Sequence, residues 1–234
     1  MVGYNSYDIV LVLGPESSGT RVYTEMISRH PDVLGTQEAS SHTDHMDDVW
    51  YCVEKGNYKK AVRKFPKSNK KIILTRRSMP HARKNKNNAD AMDFPNVKGF
   101  VELCERMNKS VVLLITTRSP AANLMSWKRS RSSTKNSYKI AFEQYQKTYL
   151  KLFSVVRKYD LEYFLINLES IPLDGNKYVK SLHKLLGLKP EKTNVKKKLS
   201  VNSKWYCSFF KLNYVKDTVH SMLHVLKQIA RKVT

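Results

Sequence analysis

Gly14 and Gly19 flank a four-residue turn in the stretch DIVLVLGPESSGTRVYTEMI, residues 8–27. An apolar run precedes the first glycine and a helix-forming run follows the second. A turn of this kind between strand and helix aims successive backbone N–H groups at one point, and the helix N-terminus adds positive potential. The chemistry on offer is anion binding, with Gly14, Pro15, Glu16, Ser17, Ser18, Gly19 and Thr20 as the cradle. The ATP-using version of such a loop places Lys and then Ser or Thr directly after the second glycine. The lysine neutralises terminal phosphate charge and the hydroxyl holds magnesium. Thr20 and Arg21 occupy those two places here. No later strand ends in the aspartate that would complete a metal site. The sequence keeps the phosphate cradle and omits the parts that metal-dependent phosphoryl transfer needs.

A second anion site is suggested by LLITTRSPAANLMSW, residues 113–127. Arg118 stands at a strand end and Ser126 follows on the next helix. A guanidinium fork and a hydroxyl at a strand–helix junction suit a second phosphate. One nucleotide phosphorylated at both ends would fill both sites.

Other candidates lie in loops. RRSMPHAR, residues 76–83, offers Arg76 and Arg77 as anion contacts and His81 as a base with a pKa near neutrality. HTDHMDDVW, residues 42–50, carries His42, Asp44, His45, Asp47 and Asp48. A His-x-x-His pair without a defined third ligand does not specify a metal site. Its readings are a polar helix face or a helix facing substrate, with His42 and His45 as the contacts. Lys196, Lys197 and Lys198 form a basic run that reads as a solvated face, and Lys204 beside Trp205 is the better contact for a nucleotide.

Four short apolar runs must position these groups: residues 8–13, 71–75, 110–117 and 162–167. Each is rich in β-branched or aromatic residues and too short for a helix. Helical patterns separate them at 20–29, 121–130, 137–160 and 176–188, the last stopped by Gly187. The longest places Ile140, Phe142, Tyr145, Tyr149, Leu152, Phe153 and Val156 at helical spacing, a core face. Strands alternating with helices predict an α/β fold: a three-layer sandwich with a central parallel sheet. Ligands then sit at the carboxyl ends of the strands. Residues 76–96 read as a basic lid or substrate loop. Residues 187–206 read as a second loop leading to an amphipathic helix at 215–233. The expectation is one domain over residues 1–234, with its core at about 8–188 and a basic loop and C-terminal helix at 189–234.

Composition narrows the classes. A chain of 234 residues with 41% apolar content can bury a core without disulfide staples. Cys52, Cys104 and Cys207 are odd in number and far apart, which fits neither a disulfide framework nor a zinc pattern. No secretory signal or apolar run of membrane-spanning length is visible, so a cytoplasmic protein without a membrane span is expected. The 42 Lys and Arg against 20 Asp and Glu, net +22, predict attraction to polyanions or a phosphorylated ligand without choosing among them.

In order and placement these motifs resemble the sulfotransferases that use 3′-phosphoadenosine 5′-phosphosulfate (PAPS), a P-loop NTPase-like fold. Residues 14–20 resemble the loop that holds the 5′-phosphosulfate in that family, and Arg118 with Ser126 resembles its 3′-phosphate pair. HPDVLGTQE, residues 30–38, is similar to a stretch of tyrosylprotein sulfotransferases whose final Glu, here Glu38, is the catalytic base. YFLINLESIPLDGNKYVKSLHKLLGL resembles the late strand, Glu-containing turn and helix of the family. The resemblance implies sulfonate transfer to an acceptor hydroxyl, of a carbohydrate or glycolipid, with adenosine 3′,5′-bisphosphate (PAP) as product. It implies no metal and no nucleic-acid partner. Glu38 and His81 are the two candidate bases. The family's loop carries Lys or Arg where this chain has Ser17, so Arg21, or else Arg76 or Arg77, would stabilise the leaving group. A P-loop kinase or ATPase and a basic nucleic-acid-binding protein are the rival readings.

Overall fold

Odd- and even-numbered residues of the central strands are buried alike, because helices cover both sides of the sheet. In this computed structural model the described residues are 7–35, 45–79, 81–82, 92–130, 138–170 and 175–191. The main sheet has five parallel strands in the order β2-β3-β1-β6-β7: Val33–Leu34, Ile72–Met79, Ile9–Pro15, Val111–Thr117 and Tyr163–Asn167. Two short strands, β4 (His81–Ala82) and β5 (Met92–Asp93), pair separately and antiparallel.

Side chains alternate across a strand. Ile9, Leu11 and Leu13 of β1 join Ile73 and Met79 of β3 and Leu113 and Ile115 of β6 in one core. That core is completed by α2 (Asp47–Glu54), α4 (Val97–Arg106) and α6 (Tyr138–Tyr159), and by Ala61 of α3 (Tyr58–Lys64), which packs on α2 and α4. Trp50 is its centre, stacked on Phe100 at 4.2 Å and donating from Nε1 to Thr75 Oγ1 at 3.0 Å. Val10, Val12, Leu74, Val112 and Leu114 point the other way and are fully buried too. α1 (Thr20–Ser28) and α7 (Gly175–Leu185) pack together on that side, and Tyr23 and Ile27 of α1 are buried there. The expected three-layer α/β sandwich is the observed one.

The four expected strands and four expected helices are all present. β3 runs to Met79, so Arg76 and Arg77 lie in the sheet rather than in a loop. The edge strand β2 and the helices α3 and α4 have no counterpart in the sequence reading. Asn57 and Asn96 cap α3 and α4 with side-chain oxygens, accepting from Lys60 N and Gly99 N. By contact density the chain divides into Met1–Lys196 and Lys197–Thr234. The second unit, with the expected helix at 215–233, lies outside the described residues. No described helix is long and apolar enough to cross a membrane.

Candidate functional site

All strands of the main sheet run the same way, so β1, β3, β6 and β7 deliver their following loops to one edge. β1 pairs with both β3 and β6, which sets the turn after β1 between the other two strand ends. Three kinds of contact shape that turn.

The first is steric. A Cβ on Gly14 would overlap the Thr116 hydroxyl and lie 2.8 Å from the Thr116 carbonyl oxygen, so the close crossing of β1 and β6 requires glycine. Gly19 has φ 100°, and a Cβ there would also meet Leu168 Cδ1 at 2.9 Å. A side chain at that φ is strained, which makes glycine the fitting residue for entry into α1. Ser17 adopts φ 69° without being glycine. That conformation costs on the order of 1–2 kcal/mol and must be held by neighbours.

The second is hydrogen bonding that ties the turn to its surroundings. Glu16 N donates to Met79 O, and Ser18 N donates to Pro15 O. Asn123 Nδ2 of α5 (Pro120–Ser130) donates to Glu16 O at 3.0 Å, and Arg118 Nη1 donates to Ser17 O at 2.9 Å. The Ser18 and Thr116 hydroxyls are bonded to each other. The Thr20 hydroxyl meets Ser78 Oγ at 2.9 Å. What remains for an incoming anion is the N–H groups of Ser17, Gly19 and Thr20, which donate to no carbonyl among the described residues. This narrows the sequence expectation: the hydroxyls of Ser18 and Thr20 serve the scaffold, and the Ser18 N–H closes the turn.

The third is a band of hydroxyl donors from α6. Tyr145 OH donates to Arg118 O, Thr148 Oγ1 to Met79 O, and Tyr149 OH to Thr116 O, at 3.0, 3.2 and 3.0 Å. Each adds a hydrogen bond to a carbonyl at a strand end, Met79 O accepting from both Glu16 N and Thr148 Oγ1. Burial raises both phenols above the ordinary tyrosine range, so they remain protonated donors.

Arg118 is only 6% exposed and is turned under the turn. Its Nε lies 3.9 Å from Glu169 Oε1, and that oxygen also accepts from Ser119 N at 3.0 Å. Glu169 sits in the 3-10 turn Leu168–Ser170 after β7, next to the Leu168 side chain that packs on Gly19. The β7 end thus contacts both strand–helix junctions. Ser126 is half-buried on α5, two turns beyond the junction.

The remaining candidates separate. Arg21 is exposed on the first turn of α1. Arg76 is half-buried, and by alternation it shares the α1 side of the sheet with Ser78. Arg77 is engaged within the fold. Its Nη2 pairs with Asp47 Oδ1 at 2.9 Å, and its guanidinium lies 4.9 Å from the Trp50 ring centre. It clamps α2, set on the opposite side of β3 from Arg76. The Asp47 and Asp48 carboxylates are paired with Arg77 and Lys64. No trio of metal-ligating side chains gathers among the described residues. His45 is exposed just before α2. His81 is in β4. Glu38, His42 and Lys204 lie outside the described residues. Cys52 and Cys104 are free and buried, and burial pushes the Cys104 thiol up to about 12.

No family model matches the chain, and no curated protein matches it in sequence. Solved structures do match. A sulfotransferase from Alicyclobacillus acidocaldarius is similar at 10% identity and TM-score 0.49, over 88% of this chain and 93% of that one. Deoxyadenosine kinase from M. mycoides, with bound dCTP, is similar at 13% identity and TM-score 0.39, over 76% and 98%.

Thr116, Asn123, Glu169 and the α6 hydroxyls are the contributors that sequence reasoning missed. Only Glu169 left a signal, as the acid in the turn after the last strand. The others are ordinary polar residues until the sheet order sets them beside the glycine turn.

Proposed function

We propose that this chain is a sulfotransferase that moves a sulfonate from PAPS to an acceptor hydroxyl of a carbohydrate or glycolipid, releasing PAP. The observation that carries the reading is a glycine turn of backbone N–H groups that, among the described residues, is joined by neither the ammonium nor the metal-holding carboxylate of a phosphoryl-transfer site. Gly14 and Gly19 let the turn pack against Thr116 and Leu168, where any Cβ would intrude, and so fix its backbone. Those features fit a phosphosulfate, whose transfer needs no metal.

The bound donor supplies the reacting sulfur and a phosphate leaving group. The chain's own residues do the rest. The N–H groups of Ser17, Gly19 and Thr20 face the charge that develops as the sulfur–oxygen bond breaks, and they need no reorganisation because Arg118, Asn123 and Ser78 already fix the turn. Arg21, on the first turn of α1, is the added cation, with Arg76 as the alternative from the same side of β3. Arg118 and Ser126 remain the proposed 3′-phosphate contacts. Arg118 would serve from a buried position, joined to the loop through Ser17 O, so occupancy at one junction would be felt at the other. The base that takes the acceptor proton is Glu38 or His81.

Calorimetric titration with PAP, with ATP plus magnesium, and with a short oligonucleotide tests this reading. PAP should bind without magnesium and the other two should not compete. Magnesium-dependent ATP binding in the absence of PAP binding would favour a kinase and end the proposal. Labelled PAPS offered with a panel of hydroxylated acceptors then identifies the acceptor class.

A further inference from the structure

We propose that the outer face of α3, with the adjoining face of α2, is a docking surface for an anionic lipid bilayer. Residues 55–71 contain eight Lys or Arg and no Asp or Glu. Lys59, Lys60, Arg63 and Lys67 are exposed and make no ion pair among the described residues. The nearby Lys64 is paired with Asp48, and Lys70 and Lys71 reach backbone carbonyls, so the cations left over all belong to one short stretch.

Two exposed apolar side chains lie on these two helices. Val62, within the basic helix, is 45% exposed, and Tyr51 of α2 is 61% exposed with Lys55 Nζ 6.0 Å from its ring centre. α3 packs on α2 and α4, and its Lys59, Lys60, Val62 and Arg63 are exposed. These features choose among polyanions. A nucleic acid or acidic polysaccharide is gripped by a cleft, by arginine forks, or by aromatic platforms on which bases stack. The four exposed cations here are three lysines on flexible stems and one arginine, Arg63, and a nucleic acid or sulfated glycan gains nothing from an exposed valine. A bilayer is flat, attracts lysines individually at its surface, and accepts a valine and a tyrosine at the headgroup boundary. The surface is independent of the glycine turn, so this inference does not rest on the proposed activity.

The test is co-sedimentation of the full chain with phosphatidylcholine vesicles, alone or with roughly a third phosphatidylserine. Lys59→Glu/Lys60→Glu/Arg63→Glu is compared with Lys147→Glu/Arg157→Glu/Lys158→Glu, which makes the same charge change on α6. Each lysine near such a surface strengthens binding about fivefold, so the α3 triple should lose at least about a hundredfold in affinity for anionic vesicles. The α6 triple should lose far less, and Val62→Ser should weaken binding at high salt, where the charge contribution is screened. Unchanged melting temperatures show that the variants fold. Equal loss in the two triples would mean that net charge alone drives binding, which overturns the proposal. So would equal binding to neutral vesicles, or an oligonucleotide or heparin bound through α3 while vesicles are not.

Discussion

Arg118→Ala removes a side chain that the structure gives two tasks, and the two can be separated by measurement. The guanidinium donates to the Ser17 carbonyl and lies close to Glu169, at 6% exposure. A hydrogen bond from a charged donor contributes about 1.5–3 kcal/mol, and its loss also exposes Ser17 at φ 69° to relaxation. The expected destabilisation is about 2–3 kcal/mol, or roughly 5–10 °C in melting temperature for a domain of this size. The loosened turn should weaken every nucleotide that carries a 5′-phosphate. If Arg118 also meets the 3′-phosphate, PAP should lose about another tenfold to a hundredfold beyond what AMP loses. Scanning calorimetry gives the stability and isothermal titration gives the two affinities. Arg118→Lys is the control, since it keeps the charge and forfeits the fork. Equal losses for PAP and AMP would leave Arg118 as a brace alone and remove the 3′-phosphate site. An unchanged melting temperature would refute the bracing role.

Gly14→Ala should lower stability by about 1–3 kcal/mol, because its methyl meets backbone as well as the Thr116 side chain, and should abolish PAP binding in the same titration. Gly19→Ala should cost about 1–2 kcal/mol through its φ of 100° and impair PAP binding likewise. Arg77→Ala should release Asp47 and uncover Trp50, lowering the melting temperature while leaving PAP affinity unchanged; a fall in affinity at full stability would restore Arg77 as an anion contact. His183 is fully buried against His30, ring centres 4.7 Å apart, and burial followed by the His30 charge holds its pKa down to about 4. The unfolded chain, with the ordinary histidine value, binds a proton that the folded chain refuses between those two values. Stability is therefore full above about pH 6.5 and falls as pH drops towards 4, by about 3 kcal/mol in all. Chemical denaturation across that range should show the slope, and His183→Gln should flatten it.

The glycine turn was legible because its demands are local. A tight strand-to-helix turn needs glycine at fixed places, and each apolar run in the sequence became a strand. Buried parallel strands are apolar on both faces, which any linear reading detects. α3 and α4 escaped notice because they are short and highly charged, and the packing of α2 against both of them is a tertiary fact. The same holds for the arginines. Arg76 and Arg77 are neighbours in sequence and equivalent in composition, but strand alternation sends them to opposite sides of the sheet, one beside α1 and one onto Trp50. Arg118 was found by its place at a strand end, yet its direction was set by the Ser17 carbonyl and by Glu169, distant in sequence by 101 and 50 or so residues respectively. The chain's own order of residues determined the cradle, the layer architecture and the absence of a P-loop lysine, since each depends on near neighbours. Which hydroxyls face inward, which cation is already committed, and which N–H groups stay available were decided only by the folded sheet, because those choices depend on strands that meet across the whole length of the core.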